Sequence, residues 1–441
     1  GEGEAGAYSI CFHPQYALNH KFYIFYYKNN AAWAASLPIP NPAPAGLDPS
    51  PTPFRGEDDF GNPAGDLVLD EYQVDANDVS KVTRVRTGVF VYHHQPSIGQ
   101  GNAKFGPDGY LYLIISDFDE GGRDLHTVAR KVLRIDVTTP PPTGATYVIP
   151  PDNPYANDPD TAVKKEIWAM GFRGPWSSAF DWDTGDLWLG DVDQSTYEEI
   201  NLITKKGNYG WDKGGDLGVN GNQGNSFSGP CASAAAPNIK PSDCTPFTDP
   251  SFSFPRSGTL GMTCVIVGTV FRGAQSSPFY GSLISADNSS NKIIATKKGA
   301  AAQMVGSASV QFGAAGHRGI ASMASGAGGV VYVTATDWFD PANRKYKGPS
   351  ISYEIYRLTS PDLVLKPFTE VTAIEKQNWA RMNPSRPRLV VNLGFSPVKT
   401  VAGTAYDLSG KLTQGRRGAG IYYLKSQPKH PASTSDSSAP K

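Results

Sequence analysis

No run of 18 apolar residues occurs in the chain, which leaves no candidate for a membrane-spanning helix. Neither sign of charge dominates: 40 basic residues against 41 acidic ones give a formal net charge of -1. That balance lacks the footprint of a nucleic-acid binder or of a protein held to an acidic membrane. The opening "GEGEAGAYSI" has no basic segment followed by an apolar one, so the expectation is a mature or trimmed secreted chain, one that starts mid-motif. Charged residues make up only 18% of the chain.

Cysteine is scarce, at four residues. Cys231 and Cys244 bracket "CASAAAPNIKPSDC", a Pro-rich loop of small residues with no histidine nearby. It reads as a disulfide-closed loop rather than a metal site. Cys11 in "YSICFHP" and Cys264 in "GMTCVIVGTVF" lie in apolar runs and read as small buried thiols.

What the sequence has in quantity is turn chemistry and flat side chains: 47 Gly, 36 Pro and 11% aromatics. At 441 residues it exceeds the usual single core, unless a repetitive β fold holds it in one body. Runs such as "KFYIFYY", "YLYLIIS", "KVLRIDV", "DLWLGDV", "TCVIVGTVF" and "GVVYVTAT" are short, β-branched or aromatic, and bounded by Gly, Pro, Asn or Asp. They read as strands, and the class as all-β.

Two of these runs share one grammar. "FGPDGYLYLIISD" (105–117) and "FDWDTGDLWLGD" (180–191) each give an aromatic strand end, a tight Asp/Gly turn, a hydrophobic strand and a terminal Asp; "ASMASGAGGVVYVTATD" (321–337) is a looser copy. A hairpin recurring at such intervals marks propeller blades, each burying its faces on its neighbours. Asp108, Asp117, Asp181, Asp183 and Asp191 recur at the blade turns, where Asp bonds nearby backbone N–H groups. Trp168, Trp182, Trp188 and Trp211 read as blade-packing aromatics. Asp117, Asp119 and Glu120 of "DFDEGGRD" offer either a cation site or a solvated acidic turn.

Two segments break the pattern. "SLPIPNPAPAGLDPSPTPF" (36–54) cannot join a sheet ladder and is expected to be an exposed insertion within a propeller spanning 1–424. The tail "KSQPKHPASTSDSSAPK" (425–441) has a disorder-prone composition. The sequon Asn288-Ser289-Ser290 makes Asn288 a candidate glycosylation site and agrees with secretion.

The motifs "FHPQYALNHKFYIFYY", "FGPDGYLYL", "RKVLRIDV" followed by "YVIPPDNPY", "IWAMGFRGPWSSAFD", "GDVDQSTYEEINLITKKGNYGWD" and "GHRGIASMASGAGGVVYVTATD" stand in one order over about residues 4–358. In this the chain resembles the glucose/sorbosone dehydrogenase family, and within it the hedgehog-interacting-protein-like branch. The resemblance implies a six-bladed β-propeller using pyrroloquinoline quinone and calcium. It assigns calcium to Glu199 and Tyr209 of "EEINLITKKGNYGW"; the alternative is that Glu198 or Glu199 pairs with a basic neighbour while Asn208 and Gly210 shape a turn.

Sugar oxidation at the anomeric carbon needs a general base, a hydride-accepting quinone and cations to hold that acidic quinone. By ungapped counting the family's basic histidine falls at Ile98, which accepts no proton; with a few residues inserted, His94 of "YHHQPSIGQG" takes the role, or else His93 and His94 are blade-edge residues. The quinone-contacting Gln falls at Glu4, a carboxylate that would repel a tricarboxylate. The Arg-Asn pair survives as Arg173-Gly174, and Arg318 persists in "GHRGIAS" beside His317. Arg173 and Arg318 are then quinone-holding cations or packing partners of Asp191 and Asp193.

These departures point to a secreted calcium-binding propeller that is non-catalytic or weakly catalytic. It would bind an extracellular protein or carbohydrate, or serve as a surface component, as the Pro-rich insertion suggests. The alternative is an active quinone-dependent aldose dehydrogenase.

Overall fold

The computed structural model describes residues 7–29, 65–94, 100–116, 122–193, 197–211, 248–305, 319–326, 330–336, 339–340, 345–346, 353–359, 364–367, 388–392, 404–407 and 420–425. Apart from one helical turn, α1 (Tyr16–Asn19), every regular element among them is a strand.

Hairpin after hairpin, the strands gather into four-stranded sheets. The first blade comprises β1 (Ala7–Phe12), β2 (Lys21–Asn29), β3 (Gly65–Val74) and β4 (Val82–His94). The second comprises β5 (Gln100–Phe105), β6 (Leu111–Ser116), β7 (Lys131–Ile135) and β8 (Ile167–Met170). The third runs through β9 (Pro175–Phe180), β10 (Leu187–Asp191), β11 (Tyr197–Ile203) and β12 (Phe252–Pro255). The fourth holds β13 (Val265–Val270), β14 (Leu283–Asp287), β15 (Ile293–Thr296) and β16 (Gln303–Met304). In the fifth, β17 (Gly319–Ser325) and β18 (Val331–Thr336) are followed by a small ribbon, β19 (Phe339–Asp340) and β20 (Lys345–Tyr346). The blade then resumes with β21 (Tyr353–Thr359) and β22 (Val364–Pro367).

The leading strands β1, β5, β9, β13 and β17 pack side by side in that order, the radial plan of a propeller with the first strand of each blade innermost. Strand alternation then sends each blade's two faces to different neighbours. In β6, Leu111, Leu113 and Ile115 enter the core shared with the first blade, while Tyr112 and Ile114 enter the core shared with the third. Burial on both faces explains why "LYLIIS" reads as a continuous apolar run rather than an alternating one. Ile200 and Trp188 of the third blade meet Val265 and Val267 of the fourth, and Ile284 and Ile293 of the fourth meet Ile320 and Val333 of the fifth.

Among the described residues the expectation of six blades is corrected to five. A blade needs four strands in succession, and beyond Pro367 the described residues supply only β23 (Arg388–Asn392), β24 (Thr404–Asp407) and β25 (Gly420–Lys425), which form a three-stranded sheet of order β23-β25-β24. Residues 1–73 and 84–370 form one compact unit, and residues 74–83 with 371–441 form another. The Pro-rich stretch 36–54, the tail beyond Lys425, and Cys231 and Cys244 lie outside the described residues.

The shared turn grammar is visible as geometry. Gly106 N donates to Tyr110 O, and Asp181 N donates to Asp186 O, closing equivalent turns in the second and third blades. Gly109 and Gly185 both sit at φ 83°, a left-handed conformation that costs glycine little. Asp108 accepts the Tyr110 amide and Asp181 the Asp183 amide. Trp188 is buried, but Trp182 is 63% exposed and so is not a packing residue. It falls in the hairpin turn, beyond the reach of the neighbouring blade.

Candidate functional site

The seam between the second and third blades gathers the charged residues that the sequence singled out. Asp191 ends β10 directly opposite Glu199 of β11, and Leu189 stands opposite Asn201. Residues paired across a ladder share a face. This face also carries Leu187 and Ile203, which pack on Tyr112, Ile114 and Phe172 of the second blade's core. Asp191 and Glu199 are thus adjacent buried carboxylates turned to the second blade. Asn201 lies fully buried beside them, and its amide makes no hydrogen bond among the described residues.

Asp191 is held by backbone. It accepts the amides of Arg173 at 3.0 Å and Gly174 at 2.7 Å. Burial pushes its carboxyl up to about 6, against the opposing pull of those two amides and of Arg173 and Arg130. Across the strand, Glu198 turns to the other seam: its two oxygens take Arg256 Nη1 at 2.9 Å and the Val265 amide at 3.0 Å. Burial raises Glu198 to about 7.

Arg173 Nη1 donates to the Val192 carbonyl at 2.8 Å. Burial lowers its pKa, with Asp191, Asp193 and Glu198 pulling the other way. Gly171, two residues earlier, sits at φ 86°, and a Cβ there would lie 2.7 Å from both Asn208 Oδ1 and Gly210 N. Glycine is required for the "NYGW" segment to lie against this loop, where Tyr209 N bonds Met170 O and Trp211 N bonds Gly171 O. Tyr209 itself is fully buried, stacked on Phe172 with ring centroids 4.7 Å apart.

Sequence reasoning missed Arg130. It precedes β7, is 1% exposed, and adopts φ 56°. Its guanidinium lies 3.6 Å over the Trp211 ring, and Nη1 donates to the Arg173 carbonyl. Nothing local in "TVARKVL" marks that arginine as buried; a cation placed between two blades is a nonlocal fact.

The other candidates separate. His93 Nδ1 contacts Asp66 Oδ1 at 2.5 Å on the exposed end of β4. His94 ends β4, its side chain outside the described set, as are Ile98, Glu4, His317, Arg318, Asp117, Asp119 and Glu120. Asn288, the candidate glycosylation site, is buried, and Nδ2, the atom a glycan would join, donates to Ile320 O at 2.9 Å. Cys11 is a buried thiol as expected, whereas Cys264 is half-buried and its amide donates to Asp287.

Of the two residues assigned to calcium, Glu199 is buried on the face turned to the second blade, and Tyr209 is held within its own hairpin. The Tyr209 hydroxyl donates to the carbonyl of Leu202, three residues along β11 from Glu199, at 2.6 Å and accepts from Thr204 N at 3.1 Å. Among the described residues no three His, Cys, Asp or Glu side chains converge on a point. The described part of the quinone cradle fits a tricarboxylate poorly: Gly174 has no side chain, and the acids Asp191, Asp193 and Glu198 around Arg173 oppose an anionic ligand.

The family description "Glucose / Sorbosone dehydrogenase" matches residues 1–338. The chain belongs to the glucose/sorbosone dehydrogenase family. Among its relatives, the HIPL1 protein of Arabidopsis thaliana is 32% identical over 238 residues, 47% of this chain and 33% of that protein. Hedgehog-interacting protein of Homo sapiens is 30% identical over 196 residues, 42% of this chain and 24% of that protein. Aldose sugar dehydrogenase YliI of Escherichia coli is 29% identical over 143 residues, 31% of this chain and 35% of that protein. The chain therefore spans about a third of the HIPL1 protein it matches. No described helix is long and apolar enough to cross a membrane.

Proposed function

We propose that this glucose/sorbosone dehydrogenase family propeller is a secreted or cell-surface binding protein without appreciable dehydrogenase activity, and that its partner is an extracellular protein or a carbohydrate. The observation that carries this reading is the acidic setting of Arg173. Its guanidinium, with one N–H on the Val192 carbonyl, lies among Asp191, Asp193 and Glu198, beside a glycine in place of an amide side chain. A tricarboxylate quinone held there would meet carboxylates around its cation. The kinship with hedgehog-interacting protein and HIPL1 supports a role in extracellular recognition.

The second reading, an active quinone-dependent aldose dehydrogenase, is favoured by the retention of Arg173 and by kinship with an aldose sugar dehydrogenase. A dye-linked assay over a panel of aldoses, with saturating quinone and calcium, separates the two. The expected result is no turnover, because losing a positioned general base alone forfeits about 10²–10⁴-fold. Robust oxidation that His94→Ala abolishes and His93→Ala spares would overturn the binding-protein reading.

A further inference from the structure

Among the described tryptophans, Trp168, Trp176 and Trp188 pack on blade cores and Trp211 lies under a guanidinium. Trp182 has no such use. It stands 63% exposed in the hairpin turn between β9 and β10, and no described residue bonds its indole N–H or stacks on its ring. Single exposed apolar residues are common on any surface; what sets this one apart is the pedestal beneath it.

The turn itself does not require a tryptophan, since the equivalent turn of the second blade, "FGPDGY", closes in the same way with Pro107 in that place. What the fold does is brace the tip from both sides. Arg272 of the fourth blade places its Nε 3.1 Å from Asp181 Oδ1 and 3.2 Å from Asp183 Oδ2, so one arginine ties the carboxylates on either side of Trp182. Its guanidinium also lies 5.4 Å over the half-buried Tyr280 ring. On the other side, Gly185 N bonds Asp181 O at 2.7 Å, and a Cβ on Gly185 would lie 3.8 Å from Pro107 of the second blade. The backbone that carries the indole thus has little freedom left to lose when a ligand arrives.

The surroundings select that ligand. A stable protein–protein interface covers about 800 Å² on each partner around an apolar core, whereas the residues after Trp182 are Asp183, Thr184 and Gly185, all exposed and none apolar. One flat apolar face rimmed by acceptors suits a sugar ring instead. The axial C–H bonds of a pyranose present a weakly positive face to the negative face of an indole, and its hydroxyls can donate to Asp183, whose side chain is 59% exposed. The same carboxylate repels acidic sugars.

We propose that the β9–β10 tip is a binding site for a neutral polysaccharide, with Trp182 as the stacking platform and Asp183 as a hydroxyl acceptor. Arg173 and Asp191 lie at the other end of β10, roughly 15 Å away at the rise of a strand. The site therefore stands whether or not the propeller oxidises sugars. It narrows the proposed partner to a carbohydrate, and failure to bind glycans would leave a protein partner and the absence of turnover standing.

Affinity electrophoresis of the full chain through native gels containing xylan, galactomannan or mixed-linkage β-glucan, with polygalacturonate as the acidic counterpart, measures the interaction. At least one neutral polymer should retard the wild type, and polygalacturonate should not. Trp182→Ala, at an exposed position, should keep the wild-type circular dichroism and lose about tenfold or more in affinity, while Trp182→Tyr, which keeps a flat face, should retain most of it. Should Trp182→Ala not fold, iodide quenching of the wild type supplies a readout without a variant: the polymer must shield an exposed indole. The proposal is overturned by no retardation in any neutral gel, by equal retardation of wild type and Trp182→Ala, by preference for polygalacturonate, or by quenching that the polymer leaves unchanged. Loss of a protein ligand in Trp182→Ala, with every glycan ignored by the wild type, would make the tip a protein contact and overturn it equally.

Discussion

Asp191 in the third blade and Asp287 in the fourth occupy one and the same structural position. Each ends the second strand of its blade, and each accepts two consecutive amides from the residues just ahead of the inner strand: Arg173 and Gly174 in one case, Thr263 and Cys264 in the other. The carboxylate thereby fixes where its own blade's innermost strand begins, which is how a repeated hairpin keeps its place around an axis. Asp287 also accepts the Ser290 amide, so Asp287→Ala should leave three amides unmet in a half-buried turn and cost about 2 kcal/mol or more in chemical denaturation, since each unmet buried group costs about 1–3 kcal/mol. Asp287→Asn, which keeps an acceptor, should cost less. Equal loss in both variants would mean that the side chain matters for shape and not for its bonds.

That repeated Asp also shows how much could be read from the chain. The turns at Gly106–Tyr110 and Asp181–Asp186 were legible because every signal they use is local: an aromatic strand end, an Asp acceptor and a Gly at positive φ within a few residues. The blade cores were legible for the same reason, since burial on both faces writes itself as an unbroken apolar run. The blade count was not, because whether β23, β24 and β25 build a fourth-strand partner depends on pairing across long separations. In the site, the sequence singled out Glu199 and Arg173 and offered Asp191 and Asp193 as packing partners of Arg173, but left Arg130 unread. Arg130 and Asp191 approach from strands sixty residues apart, and no spacing rule records that.

Asn288 offers a second measurable consequence. Its Nδ2 bond to Ile320 O, together with Asn291 Oδ1 accepting the Ile320 amide at 3.2 Å, ties the turn after β14 to the inner strand of the fifth blade. Protein made in a glycosylating host should show no mass loss at this site on glycosidase treatment, and Ser290→Ala, which destroys the sequon, should leave the mass of the remainder unchanged. Asn288→Ala should lower stability by about 1–3 kcal/mol, the usual cost of an orphaned buried partner. A glycan found on Asn288 in folded protein would contradict the buried bond.

The thiols should differ sharply in labelling. Burial pushes Cys11 up to about 12, with Lys104 pulling modestly the other way, so almost no thiolate exists at neutral pH and none is accessible. Cys11 is expected to resist alkylation in the native chain and react once denaturant is added. Peptide mapping without reductant should recover Cys231 joined to Cys244, the pairing their spacing suggests; rapid native labelling of both would remove that loop closure.

Glu198 predicts the direction in which stability changes with pH. Its carboxyl titrates near 4.5 when unfolded and near 7 in the buried seam, because burial outweighs the Val265 amide and the Arg256 ion pair while Asp287 and Asp193 add repulsion. Between those values the native state keeps a proton that the unfolded chain has released, so stability must fall as pH rises. The contribution is complete below about pH 4.5 and gone above about pH 7, and amounts to no more than about 3 kcal/mol. Asp191 adds a change of the same sign from its ordinary value of 3.8 to about 6. Other groups titrate in this window, so the informative quantity is the difference between wild type and Glu198→Gln, whose side chain has nearly the same shape and no proton to lose. Denaturation midpoints from pH 4 to 8 should fall more steeply for the wild type than for the variant, with the two curves becoming parallel above about pH 7. A wild-type curve that rises relative to Glu198→Gln through this window would mean that Arg256 dominates, and that Glu198 is an ordinary ion-paired carboxylate despite its burial.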